Sequence, residues 1–138
     1  MKIILLLVLL SFISPAFSQQ IGDSKVIVKI SDTSALYIQV KRALVKNGFT
    51  VKDDMNTIVL TTNSSIKKHL GYTIIIAEIK NDTVVFKGFY CNKKFDLKGD
   101  IIEPNRFKNI IYFKGSNGWP LLYSIANEIN SKSLSFEK

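Results

Sequence analysis

Residues 114 to 120 read KGSNGWP, and a lysine beside two glycines three residues apart is a pattern that could handle phosphate. A nucleotide-cradling P-loop needs G-x-x-x-x-G-K-[ST], so that the lysine and hydroxyl reach phosphate and magnesium after the glycines have wrapped the backbone. Here Lys114 precedes the glycines, and that chemistry is excluded. Gly115 and Gly118 also match the G-x-x-G that clamps nucleic-acid backbone between two helices in KH domains. The residues before this loop, NIIYF, read as extended chain rather than helix, so nucleic-acid binding is not expected. A helix start accounts for every residue: Ser116 or Asn117 can cap exposed amides, Pro120 tolerates the first turn because it lacks an amide proton, and Trp119 can fold over the start. Lys114 beside such a start leaves some positive potential for an anion or a partner.

The other reactive residue types stand alone. Cys91 is the single cysteine, so no intramolecular disulfide can form, and in FYCNKK it reads as a packing thiol at a strand end. His69, the single histidine, sits in IKKHLG with no thiol or second imidazole for a zinc shell and reads as a solvated loop residue. Asp96, Asp100 and Glu103 lack the D-x-D-x-D-G rhythm of a calcium loop. Asp53 and Asp54 belong to a turn. No catalytic residue, cofactor site or metal site is assigned. Asn63-Ser64-Ser65 and Asn81-Asp82-Thr83 fit the glycosylation pattern, which matters only in a host that glycosylates exported chains.

Charge is more informative. The 138 residues carry 19 Lys and Arg against 11 Asp and Glu, a net charge of +8. Between Lys87 and Lys114 the surplus is concentrated, with Lys93, Lys94, Lys98, Arg106 and Lys108 between them against three acidic residues. Lys93, Lys94, Lys98, Arg106, Lys108, Lys114 and Trp119 therefore form the candidate surface for an anion or an acidic partner, set against the plainer reading of a solvated charged loop.

The elements that must position these residues follow from periodicity. KVIVKI at 25 to 30 reads as a strand, followed by Ser31 or Asp32 as a helix cap. From 35 to 47, Leu36, Val40, Ala43 and Leu44 recur at helical spacing, and Asn47-Gly48 ends the helix. Strands are expected at 49–52 and 57–62, then a loop through NSSIKKHLG. YTIIIAEIK and TVVFKGFYC follow as a hairpin turned by Asn81 and Asp82, with Thr73, Ile75, Ala77 and Ile79 facing the core and Ile74 and Ile76 suggesting partial cover on the other face. Residues 92 to 109 contain Pro104 and mixed polarity, consistent with one or two short strands, and IIYF at 110 to 113 approaches or forms another. Leu122, Ile125, Ala126 and Ile129 mark a second helix over 121–131, with a frayed tail beyond.

The beginning of the chain, MKIILLLVLLSFISPAFS, has a charged start, an apolar run and small residues at Ala16 and Ser18. That is the layout of a secretory signal peptide over 1–18. The apolar run is shorter than the ~20 residues a membrane span needs. Gln19 follows rather than cysteine, which argues against lipid anchoring. Residues 19–138 make one domain, since 120 residues bury one modest core. The expected fold is α+β in two layers, an antiparallel meander sheet with two helices packed on one face.

The stretch ALYIQVKRALVKNGFTVKDDMNTIVLTT resembles the matching part of small bacterial envelope domains such as those of the outer-membrane assembly lipoprotein BamC. GWPLLYSIANEI is similar to the C-terminal helix of small secreted bacterial proteins with a TBP-like layout. The resemblance implies fold and a secreted or periplasmic location, while the missing anchor cysteine departs from BamC. The functional expectation is a non-catalytic secreted or periplasmic binding domain for a protein or an anionic envelope component. The alternative is a small secreted hydrolase whose site residues the sequence does not group.

Overall fold

The computed structural model describes residues 18–52, 58–91, 106–131 and 133–138. Seven strands and two helices follow in the order β1 (Lys25–Lys29), α1 (Leu36–Lys46), β2 (Val59–Thr61), β3 (Ser65–Lys67), β4 (Gly71–Lys80), β5 (Thr83–Cys91), β6 (Lys108–Asn109), α2 (Trp119–Asn127) and β7 (Ser133–Glu137). All strand pairs are antiparallel. They form one open sheet in the order β2-β4-β5-β1-β7, with β3 also on β4 and β6 also on β5.

The long β4–β5 hairpin is the spine of the sheet. Its turn works because Asn81 takes φ 53°, a left-handed conformation asparagine tolerates. Nine register pairs follow, from Lys80–Thr83 to Tyr72–Cys91. Alternation then sorts the side chains: Thr73, Ile75 and Ala77 of β4 are buried together with Val84 and Phe86 of β5 and Val26 and Val28 of β1. Leu36, Val40, Ala43 and Leu44 of α1 and Leu122, Ile125 and Ala126 of α2 complete this single core, so both helices cover the same sheet face. The α+β, two-layer expectation with two helices on one face is what the chain adopts.

Several boundaries differ from the sequence reading. Neither Ser31 nor Asp32 caps α1. Asp32 Oδ1 instead accepts the Ser34 amide at 2.9 Å, and the helix starts after Ala35 in a left-handed conformation with no side-chain cap. The helix ends with Gly48 at φ 78°, while Asn47 keeps a negative φ. Within 49–52, Val51 makes only an isolated bridge to Thr62. The stretch expected as a loop contains β3, which pairs with the start of β4. α2 starts at Trp119 and stops at Asn127, so Ile129 is buried beyond the helix.

The largest correction is at the end of the chain. The tail expected to fray is β7, hydrogen-bonded along the whole of β1 from Lys25–Glu137 to Lys29–Ser133. Leu134 and Phe136 pack against the core from this edge. The signal segment through residue 17, the aspartate turn at Asp53 and Asp54, and Lys93, Lys94, Asp96, Lys98, Asp100, Glu103 and Pro104 lie outside the described residues. Among the described residues no helix is long and apolar enough to cross a membrane.

Candidate functional site

The loop at 114–118 is built as a helix start. Ser116 Oγ accepts the Trp119 amide at 3.3 Å and donates to the Ile111 carbonyl at 3.0 Å, tying the first turn of α2 to the incoming chain. Gly115 needs its glycine for φ 87°. Gly118 needs it for space, since a Cβ there would lie 2.8 Å from Ile110 Cγ2. The same isoleucine is pressed from its other side, because a Cβ on Gly88 would lie 2.6 Å from Ile110 Cδ1. Ile110 is thus clasped between two glycines, and its amide donates to the Gly88 carbonyl at 2.8 Å. One of the loop's two glycines therefore serves packing rather than ligand approach.

Trp119 is buried, its ring centroid 5.6 Å from Tyr112 and 5.9 Å from Phe136. Both contacts are tilted, the geometry aromatic quadrupoles prefer. Its indole Nε1 is buried without a hydrogen-bond partner among the described residues. Of the candidate anion-binding residues, Arg106, Lys108 and Lys114 are exposed. The register sets Lys108 opposite Tyr90, at the end of β5 remote from the hairpin. Trp119 sits beneath this surface rather than on it. Lys93, Lys94 and Lys98 lie outside the described residues.

His69 is exposed in the turn between β3 and β4, at φ 67°. The fold brings it to the glycine loop, which the sequence does not suggest. His69, Tyr90, Asn109, Ser116 and Asn117 share a cleft of about 190 Å³ whose floor includes Ile110. None of the described residues lining this cleft is a carboxylate, a lysine or an arginine. Cys91 is buried at the end of β5 opposite Tyr72, consistent with a packing thiol. Among the described residues, no group of three His, Cys, Asp or Glu side chains is placed to hold a metal ion.

The face of the sheet away from the helices carries an open cleft of about 610 Å³. Cross-strand pairing sets Ile74 opposite Phe89 and Ile76 opposite Lys87. Ile74, Ile76 and Phe89 form the floor with Phe107 beside them, and Lys52, Asn63 and Ser64 stand at the edge. All four floor residues are only half buried, although a sheet face turned to water would ordinarily be polar. Further along the same face Lys87 donates to Glu78 at 2.7 Å and Lys80 lies 3.3 Å from the same carboxylate. The Lys87 hydrogen bond holds the Glu78 carboxyl below its ordinary pKa, with the nearby Lys80 contributing.

Lys67 has a role that the sequence does not reveal. β3 turns it to the helix side, where its ammonium donates to the carbonyls of Asn47 at 2.6 Å and Gly48 at 3.3 Å. It also lies 4.2 Å from the centroid of the Phe49 ring. The residue therefore closes the negative end of α1, and burial lowers its pKa from the ordinary value. Lys68, next along the turn, points to solvent.

Comparison of the chain with protein-family models, with curated proteins and with solved structures gives no match.

Proposed function

We propose that this chain is a non-catalytic secreted or periplasmic binding domain that engages a protein or an anionic envelope component through the sheet face opposite its helices. The observation that carries the reading is the half-buried apolar floor of Ile74, Ile76, Phe89 and Phe107 under an open cleft with Lys52 at its edge. A contiguous apolar patch with a polar rim has the make-up of an interaction surface. Arg106, next to Phe107, leads back into the basic segment that holds Lys93, Lys94 and Lys98. An acidic or polyanionic partner seated on the apolar floor would meet Lys52 at its margin. The described residues of the small cleft around His69 include no converging carboxylates, which favours binding over the hydrolase alternative.

The test pairs two surface variants in a pull-down from the native envelope. Ile76→Asp charges the cleft floor, whereas Ile38→Asp charges an exposed position on α1 as a control. Partners held by wild type and by the Ile38 variant should be lost with Ile76→Asp, and retention should fall as salt rises because exposed charges are screened over ~8 Å at physiological ionic strength. Equal retention by both folded variants would remove this face from consideration. The compartment is tested separately by intact mass of the exported chain, which should begin at Gln19.

A further inference from the structure

We propose that the cleft between the β3–β4 turn and the 114–118 loop is a binding site for a neutral saccharide, distinct from the outer sheet face. The polar side chains that meet there are an imidazole (His69), a phenol (Tyr90), a hydroxyl (Ser116) and two carboxamides (Asn109 and Asn117). Each of these side-chain types can donate and accept hydrogen bonds, and none is a carboxylate, an ammonium or a guanidinium. In a chain of net charge +8, a recess whose described lining residues include no carboxylate, ammonium or guanidinium offers an ion no counter-charge from those residues. The carboxamides of Asn109 and Asn117 and the imidazole of His69 make no side-chain hydrogen bond among the described residues. They are uncommitted, and they come from three separate elements.

Apolar surface completes the match. Phe113 is 46% exposed and forms part of the wall of this cleft. It also walls a neighbouring, largely aromatic cleft of about 380 Å³ with Tyr112, Trp119, Pro120 and Tyr123, where Lys114 is the one cation among the described lining residues. A pyranose ring presents hydroxyls at its edge and C–H groups on its face, so it can satisfy carboxamides on one side and lie against an aromatic ring on the other. At about 190 Å³ the polar cleft is smaller than the ~300 to 1,000 Å³ of sites for drug-sized ligands, and suits one sugar unit. The aromatic cleft beyond Phe113 gives room for the next unit of the chain.

The experiment is an amide-shift titration of the folded protein with N,N′-diacetylchitobiose and with maltotriose as neutral probes, and with dextran sulfate as an anionic one. Shifts should concentrate at His69, Asn109 and residues 113 to 118 with at least one neutral probe, at a dissociation constant on the order of 1 mM or tighter. Asn117→Ala and Phe113→Ala, both at exposed positions, should each weaken that binding about fivefold or more while leaving the denaturation midpoint near wild type. If Phe113→Ala does not fold, Asn117→Ala and Asn109→Ala carry the test together. The proposal is overturned if neither neutral probe shifts the cleft at tens of millimolar, or if the shifts map to Ile74, Ile76 and Phe89. It is equally overturned if dextran sulfate alone binds the cleft. Loss of envelope partners by Ile76→Asp would not bear on it, so the two surfaces stand or fall separately.

Discussion

Trp119 is the residue around which the second helix is seated, and its indole makes a specific demand. Truncation to alanine should cost ~3 to 5 kcal/mol, the range for a buried large aromatic, read as a lowered midpoint in chemical denaturation. Trp119→Phe should cost much less, about 1 to 2 kcal/mol, because it also removes an N–H that is desolvated without a partner. Equal losses in the two variants would show that the indole nitrogen is satisfied in solution. Glu78 makes a pH-dependent demand on the opposite face. Its folded pKa is lowered by Lys87 and Lys80, so the stabilisation is full above the unfolded value and is lost as pH falls through the folded one. Glu78→Gln should therefore flatten the acid limb of stability below about pH 4 and leave the neutral-to-alkaline limb unchanged in shape. An acid limb identical to wild type would show the pair to be fully screened. Trp119 as a packing residue was legible from its place before Pro120. The role of Lys67 was not, because the carbonyls it binds lie in Asn47 and Gly48, and only the β3 pairing carries it there.

At the scale of elements, Ile110 between Gly88 and Gly118 fixes where β5, the incoming chain and α2 meet. Gly118 has φ −85° and ψ −30°, so alanine is acceptable to its backbone and only the space is wrong. Gly118→Ala should destabilise wild type by about 1 to 3 kcal/mol through overpacking. In an Ile110→Ala background the same substitution should be neutral or stabilising, and a double-mutant cycle would show this as a coupling opposite in sign to the single effect. Strict additivity would mean that Ile110 has an alternative rotamer and that the clasp is loose. The elements that the sequence revealed are those whose signal is local: α1 through its spaced apolar residues, and the β4–β5 hairpin through alternation around Asn81. β3 was hidden because three residues, one of them lysine, show no period of their own. β7 does alternate, with Leu134 and Phe136 between polar residues, but five residues at the end of a chain become a strand only when a partner exists. That partner lies far back in the sequence, at Lys25 to Lys29.

For the whole molecule, β7 is structural rather than ornamental. Deleting residues 133–138 would strip one side of β1 and uncover Leu134 and Phe136 contacts beside Trp119. The expected loss is about 3 kcal/mol or more, from apolar area and an unpaired strand edge, and it should appear as a reduced midpoint and a red-shifted emission from the single tryptophan. An unchanged midpoint would return the tail to the frayed state read from sequence. The placement of β1 also sets a timetable. This strand is made before every other, yet both of its neighbours come later: β5 after the helix and three further strands, and β7 after everything else. A chain emerging from the ribosome, or threading through a narrow channel, therefore holds β1 without a neighbour until β5 has appeared, and with one side unpaired until β7 has. Closure of the sheet therefore waits for β7, and a passage that requires an unfolded polypeptide remains open to the chain until then.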